Sequence, residues 1–143
     1  KDKIYYLKDH LKKLEAKGNY KLLIFADYFE SFELIKSVLG KLDIKYAMLK
    51  GSSAIINNTV EYYKREENGI NVLLLNSHYC GSGLNLENTT DIVIFHYMNK
   101  SKDKQIIGRA QRPGRTSKLN ILRLCYENEV SSVSNTSRPI TSE

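Results

Sequence analysis

Apolar residues recur at spacings of three and four near the start of the chain, at Ile4, Leu7, Leu11 and Leu14, with lysines between them. That period lays one apolar stripe along an amphipathic helix, which Gly18 is expected to end. The pattern then changes. "KLLIFA", Lys21 to Ala26, is a short unbroken apolar run of the kind buried on both faces of a parallel sheet. Helical spacing returns from Phe29 to Leu39 through Phe32, Ile35 and Val38. "KYAML" reads as a second strand, Gly51-Ser52-Ser53 as a turn, Ala54 to Glu67 as a helix and "NVLLLN" as a third strand. After a glycine-bearing loop, "DIVIF" (Asp91 to Phe95) predicts a fourth strand, Lys102 to Arg112 a helix and "LNILRLC" (Leu119 to Cys125) a fifth.

Strands alternating with helices at these lengths imply an α/β fold, doubly wound, with a mainly parallel sheet and helices on both faces. Residues 1–129 form that single domain in this reading. From Val130 onward the chain is rich in Ser and Thr and short of apolar residues, so 130–143 is expected to be a tail or linker.

Composition narrows the class. Hydrophobic residues make up 41% and charged residues 27%, the balance of a soluble globular domain, and no apolar run approaches the roughly 20 residues that span a membrane. No membrane partner is expected. A start on Lys1 rather than methionine is what an excised piece would show, and no secretory signal is evident. Cys80 and Cys125 are too few and too far apart for a disulfide framework or a CxxC site, so both are expected unpaired and the protein intracellular. The three histidines are scattered without metal-ligand spacing, and no metal site is expected. A formal charge of +6 suits a polyanionic partner without requiring one.

Charge becomes informative where it changes type. The stretch "QIIGRAQRPGRT" places Arg109, Arg112 and Arg115 within seven residues of a chain that otherwise uses mostly lysine. Arg109 and Arg112, three apart on an expected helix, share a face. A guanidinium donates in a planar fork that matches two phosphate oxygens, whereas an ammonium is a compact point charge. Beyond the carboxyl end of the third strand, Ser77, Gly81, Gly83 and Asn85 offer a hydroxyl, an accessible backbone and an amide, groups suited to a phosphate or ribose. By contrast, the tyrosine pairs Tyr5-Tyr6 and Tyr62-Tyr63 read as core packing, and Lys12, Lys13 and Lys17 as a solvated face.

In order along the chain, "QIIGRAQRPGR" resembles motif VI of superfamily 2 helicases and translocases, "LLLNSHYCGSGLNL" their motif V in the GxGxNL form of Swi/Snf-type ATPases, "KLLIFADY" their motif IV, and "YAMLKGSS" the segment written LDGS. Asn99, Asp103 and Gln105 stand as in the family's WNPxxDxQ run, and the resemblance covers roughly residues 1 to 127. Met98 and Lys100 replace its Trp and Pro, His78 stands where many members have Arg, and Arg115 where they usually have Gln, so viral, bacterial and other helicase branches stay open.

The resemblance implies a RecA-like fold and the second of two such domains, because no GxxxxGK[ST] loop and no DExH or DEAD sequence occurs. It implies arginine fingers at Arg109 and Arg112, with Gly83, Asn85 and Gln105 near the nucleotide. Ser77, His78, Gly51 and Ser52 would lie along the nucleic-acid track. The implied cofactor is ATP, with Mg2+ held mainly by the absent N-terminal RecA-like domain of the same parent chain. The implied partner is DNA or RNA, and nucleus, cytoplasm and viral factory or virion stay open as compartments. An isolated lobe of this kind is expected to be inactive. The alternative is a non-enzymatic nucleic-acid-binding or interaction module on the same fold.

Overall fold

The computed structural model describes residues 3–65, 69–76, 86–96, 101, 104–105, 107, 119–124 and 140–142. Helix α1 (Lys3–Lys17) buries Leu7, Leu11 and Leu14, the stripe its spacing predicts, and leaves Lys12, Lys13 and Lys17 in solvent. Strand β1 (Leu22–Phe25) follows, buried at all four positions, then α2 (Phe29–Lys41), which buries Phe32, Ile35, Val38 and Leu39. Next come β2 (Tyr46–Met48), α3 (Ser53–Lys64), β3 (Val72–Leu75), β4 (Asp91–Ile94), β5 (Asn120–Leu124) and β6 (Ile140–Ser142).

The strands form one sheet in the order β2-β3-β1-β4-β5-β6. The first five are parallel, and β6 is antiparallel to β5. The register pairs Phe25 with both Leu75 and Ile94, so the strands of the sheet centre end level with one another. Alternation of side chains then sorts the core into two layers. Leu22, Ile24, Val72, Leu74 and Val93 meet α1 and α2, while Leu23, Phe25, Leu73, Leu75, Ile92 and Ile94 face Val60 and Tyr63 of α3. The α/β architecture with helices on both faces is therefore as the periodicity implies.

Three boundaries differ from the sequence reading. The third helix begins at Ser53 because Ser52 caps it, and it ends at Lys64 rather than Glu67. Arg65 has already left the helical region, with φ −72° and ψ 138°. Gly69 then packs so closely on the last turn that a Cβ would lie 2.5 Å from the Tyr62 carbonyl oxygen, an approach only glycine permits. Within 130–143, expected as a tail, Ile140–Ser142 pairs with β5. Backbone pairing to an open sheet edge needs no apolar side chains, which is why composition did not signal it. The tyrosine pairs behave as core elements on one side each: Tyr63 is fully buried and Tyr6 packs on the core, while Tyr5 and Tyr62 are half exposed.

On α1, His10 carries a buried Nε2 with no hydrogen-bond partner among the described residues. Burial lowers its pKa below the ordinary 6.5, and the nearby Asp91 carboxylate offsets part of that shift. Well above pH 6.5 the ring is neutral whether the chain is folded or not, and it contributes no slope to stability. Below that, the unfolded chain takes up a proton that the folded chain resists, so stability declines as pH falls. Urea unfolding from pH 7.5 downward should show this decline, shallower in His10→Gln; identical slopes in the two proteins would remove His10 as its source.

Candidate functional site

The level strand ends bring several loops to one edge. Ala26 N–H donates to the Leu75 carbonyl at 3.2 Å, Leu49 N–H to that of Leu74 at 2.8 Å, and Phe95 N–H to that of Phe25 at 2.8 Å. The segments that leave β1, β2, β3 and β4 therefore start side by side at the carboxyl edge, where open α/β sheets gather their ligands. Asp27 to Phe29, Lys50 to Ser52, Asn76 and His96 are the described residues there.

At the β2–α3 turn, Gly51 adopts φ +105°, and a Cβ there would meet the Ile55 side chain at 3.3 Å. Backbone and space both favour glycine. Ser52 caps α3: its Oγ accepts from Ile55 N–H at 3.4 Å, and its carbonyl accepts from Ile56 N–H at 2.9 Å. Both residues are exposed, and the Ser52 hydroxyl keeps its proton available for an acceptor outside the protein. The positive end of α3 adds to the suitability of this turn for a phosphate oxygen.

A second cluster surrounds the exit of β4. Lys3, only 3% exposed, donates from Nζ to the Phe95 carbonyl at 2.7 Å and lies 5.3 Å from the centre of the Phe95 ring. The His96 ring stacks edge-on against Tyr28, with centroids 4.7 Å apart, and its Nε2 is 3.3 Å from Ser31 Oγ. Beside it, Tyr28 and Phe29 are exposed to 61% and 74%, high for aromatic rings in a core-forming domain. The reading of motifs missed Lys3, Ser31 and His96. For Lys3 a signal existed, since it stands four residues before Leu7 and so on the apolar stripe of α1.

The opposite, amino-terminal edge carries a cavity of about 410 Å³ lined by Asn19, Tyr20, Lys21, Lys64, Asn71, Asn88 and Thr90. Much of its polarity serves the fold. The Lys21 ammonium donates at 2.7 Å to the carbonyls of both Arg65 and Ile70, tying β1 to the end of α3. Thr90 Oγ1 accepts from Lys21 N–H at 2.9 Å, and Asn88 Nδ2 donates to the Tyr63 carbonyl at 3.1 Å. Gly51 and Ser52 are not among the residues that line it.

Of the residues proposed from the sequence, Gly51 and Ser52 sit together at the carboxyl edge, and Gln105 is helical and exposed. Ser77, His78, Gly83, Asn85, Arg109 and Arg112 lie outside the described residues, as do Cys80 and Cys125. Asn76 and His96, at the exits of β3 and β4, both stand at that same edge. Among the described residues no group of three or more His, Cys, Asp or Glu could hold a metal ion, and no helix is long and apolar enough to cross a membrane.

The pattern of the helicase conserved C-terminal domain matches residues 2–114. Protein R592 of Acanthamoeba polyphaga mimivirus, named as a candidate helicase, is 41% identical over 123 residues, covering 85% of this chain and 14% of that protein. The ATP-dependent helicase FUN30 of Saccharomyces cerevisiae is 30% identical over 132 residues, covering 90% and 12%. The crystal structure of the C-terminal part of the Fun30 ATPase domain is similar with a TM-score of 0.79 at 26% identity, over 93% of this chain and 45% of that one. The chain spans between 7 and 14% of the length of the curated relatives it matches. With the motif order and the sheet in agreement, this chain belongs to the helicase conserved C-terminal domain family of superfamily 2, with Swi/Snf-type ATPases among its relatives and the RecA-like fold of a Swi/Snf-type ATPase domain's C-terminal part.

Proposed function

We propose that this chain is the C-terminal motor domain of an ATP-dependent nucleic-acid helicase or translocase, supplying arginine fingers and part of the nucleic-acid track. The observation that carries the reading is the shared carboxyl edge: Gly51, Ser52, Asn76 and His96 stand there, Asn76 within the segment resembling motif V and His96 nine residues before the start of the one resembling motif VI. In this proposal Arg109 and Arg112 meet the phosphates of an ATP molecule bound mainly by the N-terminal RecA-like domain, which also holds Mg2+. Arginine there stabilises charge developing on the transferring γ-phosphoryl group. Gly83, Asn85 and Gln105 line the nucleotide from this side. Ser77 and His78, with Gly51 and Ser52, contact the backbone of DNA or RNA without reading bases. ATP supplies the phosphoanhydride whose hydrolysis drives movement.

A half-site has a direct test. Fingers stabilise a transition state that a phosphate loop must first assemble, so the purified chain should hydrolyse no ATP, with or without nucleic acid, while the intact parent does. Turnover by the isolated chain would overturn the half-site reading. A parent without ATPase activity would favour a non-enzymatic nucleic-acid-binding module.

A further inference from the structure

We propose that Lys3 is a positioning residue for the arginine-bearing segment, acting by clamping the peptide through which the chain leaves β4. The proposal rests on the assignment of Arg109 and Arg112 to the nucleotide phosphates.

Burying an ammonium costs several kcal/mol unless hydrogen bonds replace its water. Position 3 lies on the stripe of α1 that otherwise holds Leu7, Leu11 and Leu14, so a leucine there would pack without that cost. What a leucine could not do is satisfy the Phe95 carbonyl. The Phe95 N–H bonds β1, so its carbonyl faces β1 as well, and pairing of β1 with β4 ends at Phe25 and Ile94, leaving that carbonyl just beyond the ladder. Lys3 Nζ donates to it at 2.7 Å, with the cation held over the Phe95 ring. A serine or asparagine on α1 would be too short to span the same gap.

The Phe95 N–H is already committed to the Phe25 carbonyl at 2.8 Å. With its carbonyl held by Lys3, the residue is fixed at both polar groups. The next residue, His96, is held by Ser31 and Tyr28 at the start of α2. Helix α1 and the start of α2 thus both hold the exit of β4, and the direction of that exit is the proposed link to the segment that carries Arg109 and Arg112. Finger geometry is steep in its effect: displacement by about 1 Å can cost on the order of a hundredfold in rate.

The test uses the intact parent. Lys3→Met keeps the stem and removes the donor. It is expected to lower the maximal nucleic-acid-stimulated ATPase rate by about fivefold while the KM for ATP and the half-saturating nucleic-acid concentration stay within about twofold. Lys3→Arg, which retains a long cationic donor, should recover most of the rate. The decisive readout is the double variant with Arg112→Lys: if Lys3 acts through the arginines, the double variant loses less than the product of the two single losses. Losses that multiply would overturn the proposal, as would a Lys3→Met protein that melts lower yet keeps its full rate at a temperature where it is folded. If Lys3→Met does not fold, Lys3→Gln, neutral and shorter, is judged by the same rate, affinity and double-variant criteria. Should Arg112→Lys itself leave the rate intact, the finger assignment falls and this proposal with it. Should only Lys3→Met leave it intact, this proposal alone falls.

Discussion

Arg112→Lys in the intact parent is expected to lower the maximal nucleic-acid-stimulated ATPase rate at least tenfold, about 1.4 kcal/mol of transition-state stabilisation. Charge is kept and geometry is lost, because a fork that can engage two phosphate oxygens becomes one ammonium point. A finger in the proposed role reaches a ligand rather than the core, so the melting temperature should barely move. Nucleic-acid affinity should hold as well. If Arg112 instead contacts only the nucleic-acid backbone, the lysine variant keeps its maximal rate and needs more nucleic acid or lower salt to reach it. A near-normal rate at saturating ATP and nucleic acid would end its assignment as a finger.

Phe25→Ala should cost about 3–5 kcal/mol of stability, read by urea unfolding of the chain. Phe25 is 1% exposed on the strand flanked by both β3 and β4, level with Leu75 and Ile94. Removing its ring opens a cavity where neighbours on two strands and α3 cannot all collapse. Phe29, four residues on and 74% exposed, provides the contrast: Phe29→Ala should change stability by no more than about 0.5 kcal/mol. A domain of ordinary stability, about 5–15 kcal/mol, would lose much of its margin to the first change and almost none to the second. Equal costs would mean that the layer around Phe25 is loosely packed.

Much of this architecture is legible before any coordinates. The runs around Leu22–Phe25, Val72–Leu75 and Asp91–Ile94 announce strands buried on both faces, and the stripes at Leu7, Leu11 and Leu14 and at Phe32, Ile35 and Val38 announce the helices covering one face. Local pattern reports burial, not neighbours. The order in which strands lie was not predicted, because β1 could satisfy its apolar faces beside any of the others. The contact of Ser31 with His96, 65 residues apart, exists only because β1 and β4 are adjacent, so no local signal announces it. Lys3 was overlooked because a lysine on an amphipathic helix ordinarily reaches water. The candidate site rests on motif resemblance, which identifies residue types and their order. Gly51 shows the physical half of that signal: its backbone angle of +105° and the Ile55 side chain against it explain why glycine stands there.

The central place of β1 has a kinetic side. Its partners come late: Leu22 pairs with Val72 and with Asp91, so the strand waits some 50 residues for one neighbour and nearly 70 for the other. Loop closure over such separations costs entropy before any contact repays it, and topologies of this kind fold slowly. As this domain leaves the ribosome, α1, β1 and α2 emerge before the strands that will flank β1, whose four apolar residues will be buried on both faces. A nascent chain stalled before Asp91 carries β1 with one edge unpaired, the kind of surface that recruits other strands into aggregates. Among the described strands, the one that ends at the centre of the sheet is left longest without its full complement of neighbours during synthesis.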